Sequence, residues 1–375
     1  MPMSGHKTKR DFKSSIHSEA HGRVNLIGEH TDYNDGFVLP TSIPQSTIVQ
    51  IRGRDDGKVV MQSESGSRGS SEEYMLGTEK KNGGWTDYVQ GVTWLVNRDV
   101  TPLKNGFEIT IESSVPMGSG LSSSAALLVA LFRAIRDCFD IKGLDDIRIS
   151  QLSQKVENEF VGARVGIMDP MAASLASENV ALFIDTQTLK YERIAIPTGK
   201  MEIAVINSGI AHRLSAGSYN QRREECEKAC ELLGIKSLRE ISVKDIDRIN
   251  KLPEPYNRRA KHVVTENERV LKAVECLRQG DCETLGLLFK ESHLSMSEDY
   301  KVSLPEIDTL VKIADAQEGV YGARLTGGGF GGSIVLIAKK GQAAAAADKI
   351  ARLYREATGQ KPQVLVPMTP LAGVR

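Results

Sequence analysis

A concentration of polar side chains follows a short, largely apolar stretch near the start of the chain. The stretch runs from Val24 to Ile27, Arg23 precedes it, and Gly28 follows it. After the glycine come two acids, an imidazole and a hydroxyl, namely Glu29, His30, Thr31 and Asp32. Such groups supply the acceptors and donors that a ligand rich in hydroxyl groups requires. Taken alone, the same segment is also typical of a capped turn on a solvated surface.

A glycine- and serine-rich segment at 113–127 could bind phosphate. A strand end is followed by Gly118, Ser119, Gly120, Leu121, Ser122, Ser123 and Ser124, and then by an apolar run. Glycines allow a tight turn and a close backbone approach to a ligand. The N-terminus of a helix presents unpaired N–H groups and a partial positive charge, which favour an anion. The segment is not a Walker A loop, because no lysine follows the glycines. A serine-capped helix would show the same pattern.

A third segment, at 325–333, is dominated by glycine. Five glycines occur among the six residues from 327 to 332. Ordering them costs conformational entropy, so we expect them where the backbone packs closely against a neighbour. A hairpin turn is the alternative, although two residues would suffice for one.

The elements that must position these segments alternate between strand and helix. Phe107, Ile109 and Ile111 alternate with polar residues, which predicts a half-buried strand. The run 122–139 is apolar nearly all round, which predicts a helix buried inside a domain. Further strands are predicted at 24–27, 47–52, 58–62, 180–185, 202–207, on both sides of the third segment and at 362–367, and helices at 148–161, within 217–316 and at 342–359. Strands and helices are mixed in both halves, which indicates an α+β fold.

Size and composition exclude several classes of function. The 375 residues exceed one usual core and predict two domains. The 48 basic and 48 acidic residues leave a net charge of zero, which removes the electrostatic basis for binding nucleic acid or membranes. We find neither a signal peptide nor an apolar run of about 18 residues. The five cysteines match no zinc pattern, which favours reduced thiols in a cytoplasmic protein.

Taken together, in their order and spacing, the three segments resemble the signature motifs of the GHMP small-molecule kinases. The first motif resembles that of the galactokinase branch, and the similarity extends to 85–91, 161–162, 166–169, 218–220 and 222–223. The resemblance implies an N-terminal mixed α/β domain, residues 1–185, with a left-handed βαβ unit. It also implies a C-terminal α+β domain, residues 186–375, and an active site in the cleft between the two.

The resemblance further implies a reaction and a set of site residues. The reaction is transfer of the γ-phosphoryl group of ATP, with Mg²⁺, to the C1 hydroxyl of α-D-galactose, in a monomeric enzyme. Asp169 is implied as the base and Arg23 as the group that stabilises it and the transferring phosphoryl group. The implied sugar ligands are Glu29, His30, Thr31, Asp32, Gly166 and Tyr219. The implied ATP site is 118–124 with Trp85 and Tyr88, and the implied Mg²⁺ ligands are Ser124 and Glu157.

Simpler structural roles exist for several of these residues. Asp169 and Pro170 could cap a helix, and Glu157 could be an exposed helical glutamate. Trp85 and Tyr88 could pack as helix core, and Tyr219 could start an amphipathic helix. The chain also departs from the family pattern at His21, Arg164, Val165, Pro170 and Ser333. These departures leave open a related sugar, N-acetylgalactosamine or L-arabinose, and a non-catalytic sensor of galactose and ATP is a further alternative.

Overall fold

The computed structural model describes residues 15–64, 71–210 and 215–367, which form two β-sheets and ten α-helices. The strands are β1 (Ile16–Asn25), β2 (Phe37–Val38), β3 (Pro40–Gly53), β4 (Lys58–Ser63), β5 (Ser71–Met75), β6 (Phe107–Ser113), β7 (Val180–Asp185), β8 (Lys190–Ala195), β9 (Met201–Asn207), β10 (Val320–Thr326), β11 (Ser333–Lys339) and β12 (Gln363–Val366). The helices are α1 (Thr86–Asp99), α2 (Ser123–Phe139), α3 (Asp146–Lys155), α4 (Met168–Leu175), α5 (Ser215–Leu233), α6 (Ile246–Ile249), α7 (Tyr256–Gln279), α8 (Cys282–Ser295), α9 (Pro305–Asp315) and α10 (Ala343–Thr358).

The first sheet contains eight strands in the order β2-β7-β3-β6-β4-β5, with β1 paired to β3 and β8 paired to β7. Most neighbours are antiparallel, but β4 and β6 are parallel. Parallel neighbours require a crossover connection, and here the connection contains β5 and α1. This is the βαβ unit that the resemblance implies, and its left hand stays a prediction.

The second sheet is antiparallel, in the order β10-β11-β9-β12. The helices α5 to α10 all belong to this later part of the chain. The predicted domain boundary after residue 185 would separate β7 from β8, which pair along their whole length. We therefore propose that the boundary lies after residue 195, between the last strand of the first sheet and the first strand of the second.

Three large apolar clusters hold the described part of the chain together. One lies between the first sheet and helices that include α2, whose residues from Ala125 to Ile135 are mostly fully buried. A second packs α5, α7, α9 and α10 around the second sheet. The third joins the two sheets, because Val24 on β1 and Leu26, which follows that strand, share it with Val270 on α7 and Val335 on β11. The end of β1 is therefore held by both halves of the molecule.

Most elements predicted from periodicity are confirmed. The half-buried strand is β6, the all-round apolar helix is α2, and the last glycine-rich segment joins β10 to β11. Several boundaries were wrong, and the strands predicted at 47–52 and 24–27 begin already at Pro40 and Ile16. The strand predicted at 24–27 ends at Asn25, and the helix predicted at 148–161 is α3 followed by a π-helical turn at Val156–Val161. Among the residues that the structure describes, no helix combines the length and apolarity needed to cross a bilayer.

Candidate active site

An arginine and an aspartate that lie 146 positions apart form the centre of the candidate site. Arg23 on β1 donates from Nε to Asp169 Oδ1 at 2.8 Å and from Nη2 to Asp169 Oδ2 at 2.7 Å. The arginine side chain is 5% exposed and the aspartate side chain 31%. The Ser122 hydroxyl also donates to Asp169 Oδ2. Two parallel hydrogen bonds fix the orientation of the guanidinium and of the carboxylate. One side of the carboxylate is therefore held by the protein, while the group still reaches solvent.

Asp169 occupies the first turn of α4 rather than its cap. The helix begins at Met168, and its N-cap residue is Ile167. The interpretation of Asp169 as the N-cap residue is therefore wrong, although Pro170 does lie in the first turn, where its missing N–H is tolerated. A carboxylate in the first turn is stabilised by the positive end of the helix dipole.

The glycine- and serine-rich loop leads into α2 through three residues with positive φ. Gly118 has φ +68°, Gly120 +77° and Ser122 +60°, and the helix begins at Ser123. Its N-cap residue, Ser122, makes no capping hydrogen bond with its side chain. Its first N–H groups are therefore available to an anion, and the dipole of a 17-residue helix favours a negative charge there.

The loop is held by the other two motifs. Arg23 donates from Nη1 to the carbonyl of Gly120 at 2.6 Å. A Cβ on Gly327 would lie 3.0 Å from the same carbonyl oxygen, so the third motif approaches closely, as its glycines predict. Ser333, one of the departures from the family pattern, donates to the carbonyl of Ser119 at 2.7 Å. Leu121 is buried in the cluster that joins the sheets, and Ser119 donates to Pro116 O at 2.7 Å, so these two side chains hold the loop in place.

Ser124, Glu157 and Tyr88 form a group beside the start of α2. Glu157 is only 3% exposed, which excludes the solvated-glutamate alternative. Burial raises its pKa to about 7, although a hydrogen bond with Ser124 acts in the opposite direction and Asp169 adds to the rise. Burial likewise raises the pKa of Tyr88 to about 12, and its hydroxyl also bonds Ser124.

This group fits one hard cation. The described residues contain no cluster of three or more histidine, cysteine, aspartate or glutamate side chains that could enclose a metal. Mg²⁺ does not need one, because it is usually held by one or two protein oxygens together with waters and phosphate oxygens. A buried carboxylate hydrogen-bonded to a serine, next to an uncapped helix N-terminus, matches that donor set.

The turn after β1 places its side chains in very different environments. Glu29 is buried, accepts from the N–H of Gly327 at 2.9 Å and lies 3.4 Å from Arg324 Nη1. Burial raises its pKa, while Arg324 and Arg23 act against that rise. The Thr31 hydroxyl contacts the carbonyl oxygens of Gly28 and Phe37 at 2.9 and 2.6 Å. Thr31 therefore stabilises the turn itself.

His30 leaves one nitrogen of its ring without a partner. Its backbone has φ +62°, and its Nδ1 lies 2.9 Å from the hydroxyl of Tyr33. Nε2 is buried and has no hydrogen-bond partner. Burial, then the charges of His262 and Arg222, lower the pKa of His30 well below its ordinary value. The ring is therefore neutral and offers a single unsatisfied polar atom.

Asp32 lies against a glycine that no other residue could replace without movement. A Cβ on Gly166 would lie 1.7 Å from Asp32 Oδ2. Burial, followed by the charge of Asp169, raises the pKa of Asp32 to about 7. The ring of Tyr219 lies 5.5 Å from the ring of His30 and 5.3 Å from that of Tyr33. Gly166 and Tyr219 thus join His30 and Asp32 in one region.

Trp85, Arg164 and His21 lie in other surroundings; the last two are residues at which the chain departs from the family pattern. Trp85 precedes α1 and packs at the edge of the cluster under the first sheet. Arg164 pairs with Glu227 on α5 at 3.1 Å, with both side chains substantially exposed. His21 donates from Nδ1 to the carbonyl of Ile43 at 3.0 Å. These residues show structural contacts of their own.

Sequence reasoning missed a buried ionic network that supports the turn. Glu266 on α7 accepts from Gly28 N at 2.9 Å, from Ser292 Oγ at 2.7 Å and from Arg269 Nε at 2.7 Å. Burial opposes its ionisation, but Arg269 and Arg324 hold the pKa of Glu266 far below its ordinary value. Arg324 is fully buried and donates from Nη1 to the carbonyl of Leu26 at 2.9 Å. Arg324 directly precedes the third segment, so its position in the sequence gave a signal. Glu266 lies in a helix with many other charged residues and gave none.

Three family models match the chain. The model described as "GHMP kinases N terminal domain" matches residues 87–177, "Galactokinase galactose-binding signature" matches 8–53 and "GHMP kinases C terminal" matches 273–356. A galactokinase of Thermotoga neapolitana is 40% identical over 341 residues, which cover 90% of this chain and 93% of that protein. A galactokinase of Haemophilus influenzae is 40% identical over 363 residues, with coverage of 95% and 93%.

Solved structures agree with the sequence comparisons. The Lactococcus lactis galactokinase complexed with galactose superposes with a TM-score of 0.90 at 33% identity, covering 94% of this chain and 93% of that one. A mevalonate kinase superposes with a TM-score of 0.67 at 16% identity, covering 93% and 97%, which shows a shared fold. The fold, the order of the three motifs and the relatives that match nearly the whole chain lead to one conclusion: this chain belongs to the galactokinase family of the GHMP kinases.

Proposed function

We propose that this chain transfers the γ-phosphoryl group of MgATP to the C1 hydroxyl of α-D-galactose, giving galactose 1-phosphate and ADP. The carrying observation is the Arg23–Asp169 pair, which touches the uncapped start of α2 through Ser122 and Gly120. A carboxylate held beside an anion-binding helix N-terminus is what transfer of a phosphoryl group to a hydroxyl requires. The galactose-bound relative and the galactose-binding signature support galactose as the acceptor.

The residues proposed to bind the sugar are His30, Asp32, Tyr219 and Glu29, with Gly166 leaving room beside Asp32. A site built from several fixed polar groups rejects analogues that lack a hydroxyl, because its buried groups would then remain unpaired. We do not retain Thr31 as a sugar ligand, since its hydroxyl is engaged with two backbone carbonyls.

Asp169 is proposed to accept the proton of the C1 hydroxyl as the oxygen bonds to phosphorus. Arg23 holds Asp169 by two hydrogen bonds and places its positive charge beside the loop that binds phosphate. Phosphoryl transfer depends mainly on positioning and on electrostatic stabilisation of the charge that develops. Arg23 therefore both orients the base and stabilises the transition state.

The nucleotide is proposed to bind along 118–124, with its phosphates at the N-terminus of α2. Ser124 and Glu157 would hold Mg²⁺, which neutralises phosphate charge when bound. Tyr88 lies beside these ligands through its bond to Ser124, whereas contact of Trp85 with adenine stays a prediction. A monomeric state and a cytoplasmic location also stay predictions.

A sugar panel tests the proposed function directly. Purified protein is incubated with MgATP and with galactose, N-acetylgalactosamine or L-arabinose, and ADP release is coupled to product identification. Galactose should be the preferred substrate by kcat/KM, with galactose 1-phosphate as product. Preference for another sugar would contradict the proposed specificity, and sugar binding without ADP release would indicate a sensor.

Gly166→Ala should weaken sugar binding without affecting the nucleotide. The added methyl group would lie 1.7 Å from Asp32 Oδ2, so the carboxylate has to move. Overpacking of this kind costs roughly 1–3 kcal/mol, and we expect the KM for galactose to rise by about 10- to 100-fold with the KM for ATP unchanged. Gly199→Ala is the matched control, because no atom lies within 4 Å of the added Cβ. Equal KM values for Gly166→Ala and the parent would contradict the placement of Asp32.

Sugar capture should weaken at low pH because Asp32 becomes protonated. Its pKa is raised to about 7, so the ionised form, which can only accept hydrogen bonds, is present above that pH and is lost below it. At saturating MgATP, kcat/KM for galactose should fall by about tenfold per unit below pH 7. Asp32→Asn should abolish this limb of the profile while lowering kcat/KM at high pH. An unchanged limb in that variant would assign the titration to another group.

A further inference from the structure

One side of the phosphate-binding loop is attached to the second sheet by a bond to which the mechanism above gives no role. Ser333 donates from Oγ to the carbonyl oxygen of Ser119 at 2.7 Å, across 214 positions of the sequence. Both residues are buried. Ser333 is the first residue of β11, so the bond joins the end of the second sheet to the loop that precedes α2. The backbone of Ser119 is therefore fixed by the later part of the chain.

A neighbouring asparagine leaves the direction of this bond unambiguous. Asn207, the last residue of β9, pairs directly with Ser333 across the sheet. Its Oδ1 accepts from the N–H of Gly209 at 2.9 Å, so its Nδ2 is the atom that donates to Ser333 Oγ, at 3.3 Å. The serine oxygen accepts this bond and gives its only hydrogen to the carbonyl of Ser119, which cannot donate. In this row of bonds, a backbone group at each end assigns the donors.

The carbonyl held by Ser333 determines where the next N–H group points. In a planar trans peptide the C=O and N–H bonds point in opposite directions, so the N–H of Gly120 is turned away from Ser333. The carbonyl of Gly120 is held in the same way by Arg23 Nη1 at 2.6 Å, which orients the N–H of Leu121. Among the described residues, neither of these two N–H groups has a protein acceptor. Two consecutive N–H groups of the loop are therefore fixed in direction and available to a ligand.

The loop backbone around these N–H groups suits phosphate. Its φ is positive at every second residue, namely Gly118, Gly120 and Ser122, and alternation with the left-handed region is typical of backbone nests that bind anions. We propose that Ser333 and Asn207 are positioning residues for the nucleotide, which hold the Ser119–Gly120 peptide so that its N–H group faces a phosphate. The inference rests on the proposed function and adds two residues of the second sheet that act on the nucleotide through the loop.

Binding of MgADP tests this role without turnover. Ser333→Ala removes the donor, and the dissociation constant for MgADP, measured by calorimetry, should rise by about 3- to 10-fold, the effect of one hydrogen bond. Ser208→Ala is the matched control. Ser208 is also fully buried, and its hydroxyl donates to the carbonyl of Gly332 at 2.8 Å, between the same two strand ends but not to the loop. The control should leave the dissociation constant unchanged.

Stability measurements separate positioning from a loss of folding. Both variants lose one buried hydrogen bond, so both should lower Tm by a similar amount, whereas only Ser333→Ala should weaken binding of MgADP. In the coupled assay, Ser333→Ala should also raise the KM for MgATP with the KM for galactose unchanged. Equal weakening of MgADP binding by Ser333→Ala and Ser208→Ala would indicate general loosening of the strand ends and would overturn the positioning role. Binding by Ser333→Ala at the parent affinity would overturn it as well.

Asn207→Asp tests the direction of the row. Aspartate keeps an acceptor for the N–H of Gly209 but replaces the donor to Ser333 by a charged acceptor, which should take the serine hydrogen away from Ser119. Its negative charge also repels phosphate, but that repulsion is the same in the parent and in Ser333→Ala. The substitution should therefore weaken MgADP binding more in the parent than in Ser333→Ala. Equal effects in the two backgrounds would overturn the role of Asn207.

The same measurements distinguish this inference from the proposed function. A parent that binds MgADP but does not phosphorylate galactose would contradict the proposed function alone, and the comparison of variants would still decide the role of Ser333. A parent that binds no MgADP would overturn both.

Discussion

Asp169→Asn is expected to lower kcat by roughly 10²- to 10⁴-fold, the usual contribution of a positioned base, with little change in sugar affinity. Asparagine keeps the size of the side chain and can still accept from Arg23, which contacts both carboxylate oxygens. It cannot take a proton from the C1 hydroxyl. The measurements are the single-turnover rate of galactose phosphorylation and the dissociation constant of galactose by calorimetry.

The matched control for this variant is Asp146→Asn. Asp146 also pairs with an arginine, Arg133, at 3.1 Å, but the pair lies at the start of α3. That variant should retain the parent rate, which would show that loss of an Arg–Asp pair alone is harmless. If Asp169→Asn turns over at the parent rate, the phosphoryl group is transferred without this base. If both variants lose activity, the effect reflects folding.

The local sequence pattern was sufficient to predict those elements whose structure depends on a single segment. The alternation at Phe107, Ile109 and Ile111 predicts β6 because a strand has a period of two. The all-round apolar run predicts α2 because only a buried helix tolerates it. The glycines at 327–332 predict a close approach of backbones, and Gly327 does lie against Gly120.

Features that depend on distant partners could not be predicted in the same way. Glu266 bonds Gly28 N across 238 positions, and Arg324 Nη1 bonds Leu26 O across 298. Nothing in the helix that carries Glu266 distinguishes it from its charged neighbours. The Arg23–Asp169 contact was expected only through resemblance, because periodicity contains no information about which strand end meets which helix. The boundary proposed near residue 195 likewise depends on the pairing of β8 with β7, a strand that the sequence patterns did not predict.

The same distinction explains why the first motif looked like a surface turn. Glu29, His30, Thr31 and Asp32 read as polar residues in a loop, yet Glu29 is 2% exposed and Thr31 is completely buried. These side chains can be buried because Gly327 N, Arg324 and backbone carbonyls form hydrogen bonds with them. Two features of the turn are not compensated by the protein: His30 Nε2 has no hydrogen-bond partner, and the pKa of Asp32 is raised. These two residues mark the part of the turn that is left for a ligand.

Glu157→Gln is expected to raise the Mg²⁺ concentration needed for half-maximal activity by at least about 10- to 100-fold, the range for weakening a metal site. Glutamine keeps the size of the side chain and its bond to Ser124 but removes the negative charge that would bind the cation. Glu159→Gln is the matched control, since Glu159 lies on the same π-helical turn, is 38% exposed and pairs with Arg98 at 2.8 Å. Activity is measured over a Mg²⁺ titration at fixed ATP, with binding of metal-free ATP measured separately.

The control should follow the parent curve, and Glu157→Gln should bind metal-free ATP at least as tightly as the parent, because a negative charge near the phosphates has been removed. Coincident titration curves for Glu157→Gln and the parent would exclude Glu157 as a Mg²⁺ ligand and would leave Ser124 and the phosphates as the remaining ligands.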